Sequence, residues 1–435
     1  MIRKIQYLFF IILFLPYMAA GQIENNSPYS RFGIGDIAHH SFGKNRALGG
    51  MSFGLRDPNA IVIANPASVS ARDTMSFLFE FGVIGKSTEL SSGDLTDKFS
   101  DINFNHLAIA FPITKSIGTS IGIIPYSNQN YNINSTIRED DLLYNPTTGD
   151  LNTKYIGKGG INQFFIANAV KLNKNISLGF NFSYLFGSLE RIRTLSFFDE
   201  EENEPRYDFY NSKYSDKTII GDIKFDWGLQ YTANFKHDLE LTVGAIFSSN
   251  NKLSAEHEVL QENIVYSVDP GIYIDTVLNY TDDNGHILLP GKIGAGFTLK
   301  KGDKLMIGAD YYAQDWSDAR FFGKSDSLRN TNTLRGGIEF VPNSRDLRNY
   351  LNSIHYRIGG HYSNSYLQLN GEQLTNFGIS FGLGLPLMGS RSIFNIAFEL
   401  GQRGTLDNFL IKEKYGILSF SLTLYDFWFV QQKFD

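Results

Sequence analysis

Hydrophobic and polar positions alternate along most of the chain, most clearly between Ile219 and Phe235. Ile219, Ile223, Phe225, Trp227, Leu229, Tyr231 and Phe235 share one face, and Asp222, Lys224, Asp226, Gln230 and Thr232 share the other. A period of two predicts a β-strand. This one, at about seventeen residues, exceeds the five or six of an ordinary soluble strand and suits a tilted crossing of a bilayer. A lysine facing lipid at the midplane costs about 2–4 kcal/mol, so a one-residue slip, which turns three charges outward, is strongly disfavoured.

The same pattern predicts strands at Met75–Ile84, Phe104–Phe111, Thr119–Asn130, Asn162–Lys171, Ile176–Leu189, Ile219–Phe235 and Leu239–Ser248. Further ones follow at Lys292–Leu299, Leu305–Gln314, Thr333–Phe340, Ile354–Ser363, Thr375–Leu385, Ile393–Gly401 and Tyr415–Leu424. The total, about fourteen, is even, as single-chain bacterial barrels require. Every second connection is short: Pro112–Gly118, Leu172–Asn175, Lys236–Asp238, Lys300–Lys304 and Pro386–Ser392, with Val341–Ser353 longer. The alternate connections are mostly longer and carry acidic runs such as Asp199-Glu200-Glu201-Glu202 and Asp282-Asp283. Short periplasmic turns and long external loops are the habit of outer-membrane barrels. The expected fold is therefore all-β, a transmembrane antiparallel barrel of about fourteen strands, residues 74–435. Tyr425 to Phe434, with Phe427, Trp428 and Phe429, is expected to form its periplasmic aromatic girdle.

The N-terminus adds a location. Arg3 and Lys4 precede an apolar run from Ile5 to Leu15, and Ala19-Ala20-Gly21 offers a signal-peptidase site, so residues 1–21 are expected to be a secretory signal peptide. The run is too short for a helix that spans a bilayer. The chain has no cysteine, hence no lipid-bearing cysteine after the cleavage site. Lys plus Arg number 39 against 45 Asp plus Glu, which disfavours a nucleic-acid partner. The 36 Phe and 23 Tyr suit the aromatic belts of a membrane barrel. Localisation in the outer membrane of a Gram-negative cell, in contact with its lipid, follows as an expectation.

Residues 22–73 precede the first strand and are rich in turn chemistry: Ser27-Pro28, Gly33, Gly35, Gly49-Gly50, Asp57-Pro58 and Pro66. The economical place for them is the lumen, as a plug. Gly43-Lys44-Asn45-Arg46-Ala47-Leu48-Gly49-Gly50, Arg56-Asp57-Pro58-Asn59-Ala60 and Asn65-Pro66-Ala67 resemble the N-terminal hatch of the FadL-type outer-membrane transporters of hydrophobic compounds. Ile123-Ile124-Pro125-Tyr126 is similar to that family's third strand, and Ser68 stands where it often has glycine. The resemblance assigns hatch roles to Arg46, Ala47, Gly49, Asn65, Pro66 and Ala67.

The resemblance implies passive uptake of fatty-acid-like or aromatic molecules; the chain itself shows no cofactor motif, and no cofactor or metal is expected. A ligand groove lies, in that family, between the third and fourth external loops, here about Thr194–Lys217 and Asn250–Gly291. Phe197, Phe198, Phe209, Tyr210, Ile264, Tyr266, Ile272 and Tyr273 are its candidate lining. Pro125 lacks an N–H and sits mid-strand beside Gly122, so the pair marks a break in the wall, where the family has its lateral opening. The alternative is a non-transporting subunit of an outer-membrane secretion or assembly complex, with other barrels or lipoproteins as partners. Val341, Leu347, Tyr350 and Leu351 on the one long periplasmic turn offer such a partner an apolar patch.

Enzyme chemistry finds little support. Gly50-Met51-Ser52-Phe53-Gly54 matches the G-x-S-x-G pattern, but that motif needs a strand-to-helix elbow. His39-His40 has no third ligand at useful spacing, and His355 and His361 are expected to face the lumen beside Arg357.

Overall fold

A computed structural model describes residues 27–38, 41–199, 204–205, 209–267, 271–324, 328–346 and 348–428. The alternating stretches form fourteen antiparallel strands, each paired with the next and the last with the first, so the wall closes into a barrel. In chain order they are β1 Ser76–Ser92, β2 Leu95–Pro112, β3 Ile117–Asn128, β4 Asp150–Lys171, β5 Ile176–Asp199, β6 Asn211–Phe235 and β7 Leu239–Ser248. β8 Lys292–Lys301, β9 Leu305–Gln314, β10 Thr331–Phe340, β11 His355–Leu369, β12 Glu372–Pro386, β13 Ile393–Arg403 and β14 Lys412–Phe427 complete it. Each expected strand falls on one of these.

Alternation sets the register. On β6, Ile223, Phe225, Trp227, Leu229 and Tyr231 are exposed on the outer face while Lys224, Gln230 and Thr232 are buried within. Outer aromatics stack between neighbouring strands, as Phe180 does on Phe225, with centroids 5.4 Å apart. Turns of a few residues join β2–β3, β4–β5, β6–β7, β8–β9 and β12–β13 at one end, which also holds the start of β1 and the end of β14. There Phe427 and Trp428 are exposed and Trp428 stacks on Phe77. Tyr425, expected in the girdle with them, turns inward and is buried, its ring under the Arg391 guanidinium. Phe429 lies outside the described residues.

The opposite end departs from expectation. β4, β5 and β6 run on for 22 to 25 residues, so most of the supposed loop Thr194–Lys217 is strand. The supposed loop Asn250–Gly291 is a hairpin of Asn251–Ser267 and Gly271–Leu289, whose first strand pairs along β6 from Ala255↔Ile220 to Ile264↔Asn211. Residues 274–281 of the hairpin are exposed on both faces, so the alternation of the wall strands no longer marks this stretch. Beneath these extensions an apolar cluster, including Leu185, Leu189, Ile220, Leu253, Trp316 and Tyr366, packs around Tyr29 and Ile34 from the N-terminal segment.

Candidate functional site

The N-terminal segment runs through the interior, from the long-connection end to the short-turn end. At the first, Ser27 Oγ donates to Glu413 Oε1 at 2.6 Å and Tyr29 OH donates to the Ile411 carbonyl. Asp36–Ile37 pairs with Asn128 and Ser127 of β3. At the other end Arg72 donates to the Pro58 and Ala60 carbonyls, and Asp73 meets Arg391 of the β12–β13 turn at 2.7 Å.

Between these points the segment is held by buried charge. Lys44 Nζ lies 2.6 Å from Asp57 and 3.0 Å from Glu339 of β10, and Glu339 also takes Arg357 of β11 at 2.6 Å. Burial alone pulls the Lys44 ammonium down, but the Asp57 and Glu339 carboxylates outweigh it and leave it raised. Burial likewise pushes Asp57 up, and Lys44 and Lys300 more than reverse this, holding it well below the usual carboxylate range. Arg46 sits 3.8 Å from Glu399 of β13. The carboxylate of Asp310 on β9 accepts from the Ser52 amide and, at 2.9 Å, from the Phe53 amide.

Close backbone approach completes the fit. Gly49 has φ +68° and donates its amide to Ser380 Oγ at 3.0 Å, and any side chain there would overlap the Gly360 backbone. Asn65 donates to the Phe53 carbonyl at 2.8 Å and the Leu229 carbonyl at 3.2 Å, and accepts from the Ala67 amide at 3.1 Å. Pro66 opens a short 3-10 turn, Pro66–Ala71. A Cβ on Gly228 of β6 would strike Asn65 and Pro66, and one on Gly179 of β5 would strike Ala67. Arg46, Ala47, Gly49, Asn65, Pro66 and Ala67 therefore all contact the inner wall, the first three near β11–β13 and the last three near β5–β7.

A cavity of about 860 Å³ is left between the segment and the wall. Its lining includes Ile37, Phe104, Pro125 and Tyr126, and it is heavily charged, with Lys224, Asp226, Lys292, Arg335, Glu399 and Arg403 among the side chains. It lies beside a parting of the wall. The β2–β3 ladder begins at Pro112↔Gly118 and ends at Leu107↔Ile123, whereas β2 itself continues to Leu95. Gly122 is still paired, opposite Ala108. Pro125 stands just past the last rung, and β3 bulges against β4 between Pro125 and Ser127.

The groove candidates lie elsewhere. Phe197 and Phe209 pack with ring centroids 5.0 Å apart, Tyr210 is exposed, and Ile264 pairs opposite Asn211. Among the described residues, none of these four lines the cavity. Tyr266 pairs with Ile272, and Tyr273 with Val265, at the hairpin tip; Phe198 pairs with Asp150. On the long turn Tyr350 and Leu351 are exposed and Val341 is buried, while Leu347 lies outside the described residues, as do His39-His40. Ser52 is buried in a turn, its hydroxyl donating to the Gly50 carbonyl at 2.9 Å. Glu339, Asp310, Glu399 and the inward glycines escape the sequence reading. An acidic or glycine residue on an otherwise inward-facing polar register is the signal that marks them.

Three solved structures share this fold. The CymD monoaromatic hydrocarbon channel aligns with TM-score 0.57 and 13% identity over 90% of this chain and 98% of its own. A Pseudomonas aeruginosa FadL homologue gives 0.59 and 14% over 90% and 99%. The P. putida toluene transporter TodX gives 0.57 and 12% over 91% and 100%. Among curated proteins none matches. The family described as BamG matches residues 1–435.

Proposed function

The chain belongs to the BamG family, and from that premise we propose that it is a plugged outer-membrane barrel serving as a subunit of an outer-membrane secretion or assembly complex. The observation that carries this reading is the charged interior. Lys224, Asp226, Lys292 and Arg335 line the cavity among apolar side chains such as Ile37, Phe104 and Ile246, and displacing water from these charges would cost an apolar solute much. On this reading residues 22–73 act as a hatch, fixed through Lys44, Arg46, Gly49 and Asn65-Pro66-Ala67, and residues 1–21 are removed on export. The test is purification of the tagged chain from its native host in mild detergent. A stoichiometric barrel or lipoprotein partner is the expected result. A chain that emerges alone with bound lipid would overturn the reading.

A second reading, passive passage of small hydrophobic compounds, is favoured by the parted β2–β3 ladder. Here Gly122 and Pro125 would border a lateral exit and the aromatics at the tips of β5, β6 and the hairpin would receive the ligand. The structural neighbours CymD, a monoaromatic hydrocarbon channel, and TodX, a toluene transporter, agree with it.

A further inference from the structure

The hairpin Asn251–Ser267/Gly271–Leu289 stands outside the barrel wall with one edge covered and one bare. Its first strand is paired on both sides, to β6 and to its own partner. The second strand, on its far edge, is paired among the described residues only at Ile287 and Leu288, by Phe321 and Arg320. From Ile274 to Asn284 that edge offers backbone donors and acceptors with no strand beside it among the described residues. The side chains are bare as well: residues 274–281 are all exposed, with Ile274 at 59%, Val277 at 52% and Tyr280 at 50%.

An unpaired strand edge in water invites pairing, and natural proteins blunt such edges with charges, prolines, bulges or short strands. Residues 274–289 hold no lysine, arginine or proline, and their two register irregularities against the first strand, at Val277 and at Asp283–Asn284, leave Leu278–Asp282 regular between them. The stretch lies opposite β6 residues 211–220, beyond the lipid-facing Ile223–Tyr231, so lipid does not cover it. Charge narrows the occupant. Residues 251–289 hold seven acidic residues and one lysine. Glu258 and Glu262 are neutralised by Lys217 and Lys213, but Asp275, Asp282 and Asp283 on the bare strand have no ion pair among the described residues. A second copy would bring like charges together, and an anionic lipid surface would be repelled.

We infer that the edge at Ile274–Asn284 docks an extended, lysine- or arginine-bearing segment of another cell-surface protein by strand addition, the main chain giving affinity and the aspartates giving selectivity. The inference rests on the subunit reading for the existence of that partner.

The test uses the full chain in nanodiscs of zwitterionic lipid and a labelled peptide of alternating lysine and valine. Controls are the glutamate–valine peptide and a proline-interrupted lysine peptide. The expected result is binding of the first alone, weakened about tenfold in D275N/D282N/D283N, with slowed amide exchange confined to the stretch around 274–284. Equal binding of the proline peptide, or exchange unchanged there, overturns the inference. So does quenching of an L278W variant by brominated lipid, or a dimer of the chain abolished by L278K. A partner that co-purifies while the peptide fails would overturn this inference and leave the subunit reading standing. Peptide binding by a chain that purifies without a partner would do the reverse.

Discussion

At the scale of single residues, Lys44 is where the segment's position is decided. Its ammonium joins Asp57, on the same segment, to Glu339 on the wall, and all three are largely removed from water. Taking one partner from a buried pair typically costs about 3–5 kcal/mol, because the remaining charge is stranded. Glu339 keeps Arg357 in a Lys44→Met variant, whereas Asp57 loses its hydrogen-bonded partner and keeps only the more distant Lys300 charge. Amide exchange over residues 43–62 is expected to quicken by orders of magnitude while the barrel stays folded; unchanged exchange would remove the pair from the account. The double variant Lys44→Met/Asp57→Leu leaves no orphan charge and should sit closer to wild type. The pH dependence has a definite sign. Asp57 is depressed, so its contribution is present above its unfolded value of about 3.9 and is lost as pH falls through the lower folded value. Lys44 is raised, so its share is present below its unfolded value of about 10.4 and is lost only as pH rises through the folded one. The share of protection that this pair supplies, read as the difference between wild type and Lys44→Met/Asp57→Leu, should thus be flat from about pH 5 to pH 9, and a loss of that difference near pH 6 would contradict it. Gly228 provides a steric counterpart: Gly228→Val collides with Asn65 and Pro66. The expected outcome is an inserted barrel with raised sensitivity of cells to small polar antibiotics.

At the scale of elements, the fourteen wall strands were legible because lipid punishes every slip, and β6 carries that penalty at Lys224 and Asp226. The hairpin Asn251–Leu289 was not legible, since no solvent distinction separates its two faces and its residues read as a loop. The ion pairs between segment and wall were equally hidden: an alternating strand says that Glu339 points inward, never that Lys44 will meet it. Pro125 was legible as a missing donor, and its place two residues past the last β2–β3 rung gives that reading a geometry to test. Pro125→Val restores a donor on a strand whose β2 side is parted. If small hydrophobic compounds leave by this route, uptake of an apolar fluorescent probe should fall several-fold in cells with normally inserted protein. Uptake at the wild-type level would end the transport reading for this opening. Orientation is tested with two epitopes. One inserted after Gly93, in the exposed β1–β2 turn, should be reached by antibody on intact cells, and one after Gly389, in the β12–β13 turn, only after the outer membrane is broken.

At the scale of the whole molecule, wall and segment depend on each other unequally. The wall closes strand to strand by its own ladders, and among the described residues the segment joins them as a strand at Asp36–Ile37, so the wall has the means to stand without the segment. The segment borrows nearly all its partners from the wall. At the long-connection end Ser27 is held by Glu413, Asp36 by Arg403 at 2.7 Å, and the carbonyls of Gly33 and Gly35 by Arg191 and Tyr366. Tyr29 and Ile34 fill the middle of the apolar cluster beneath the extended strands. Deleting Ile23–Ser41 therefore leaves Arg191, Arg403 and Glu413 facing an emptied space that water enters, and it takes two large side chains out of the cluster. A barrel so altered should insert and keep its heat-modifiable migration on gels, since no wall-to-wall rung is lost. Its permeability to small polar solutes should rise, measured as liposome swelling or as single-channel conductance in a planar bilayer. Unchanged conductance with the barrel inserted would mean that residues 42–73, with the wall-bound ion pairs of Lys44 and Arg46, close the lumen by themselves and that the first stretch is only a brace.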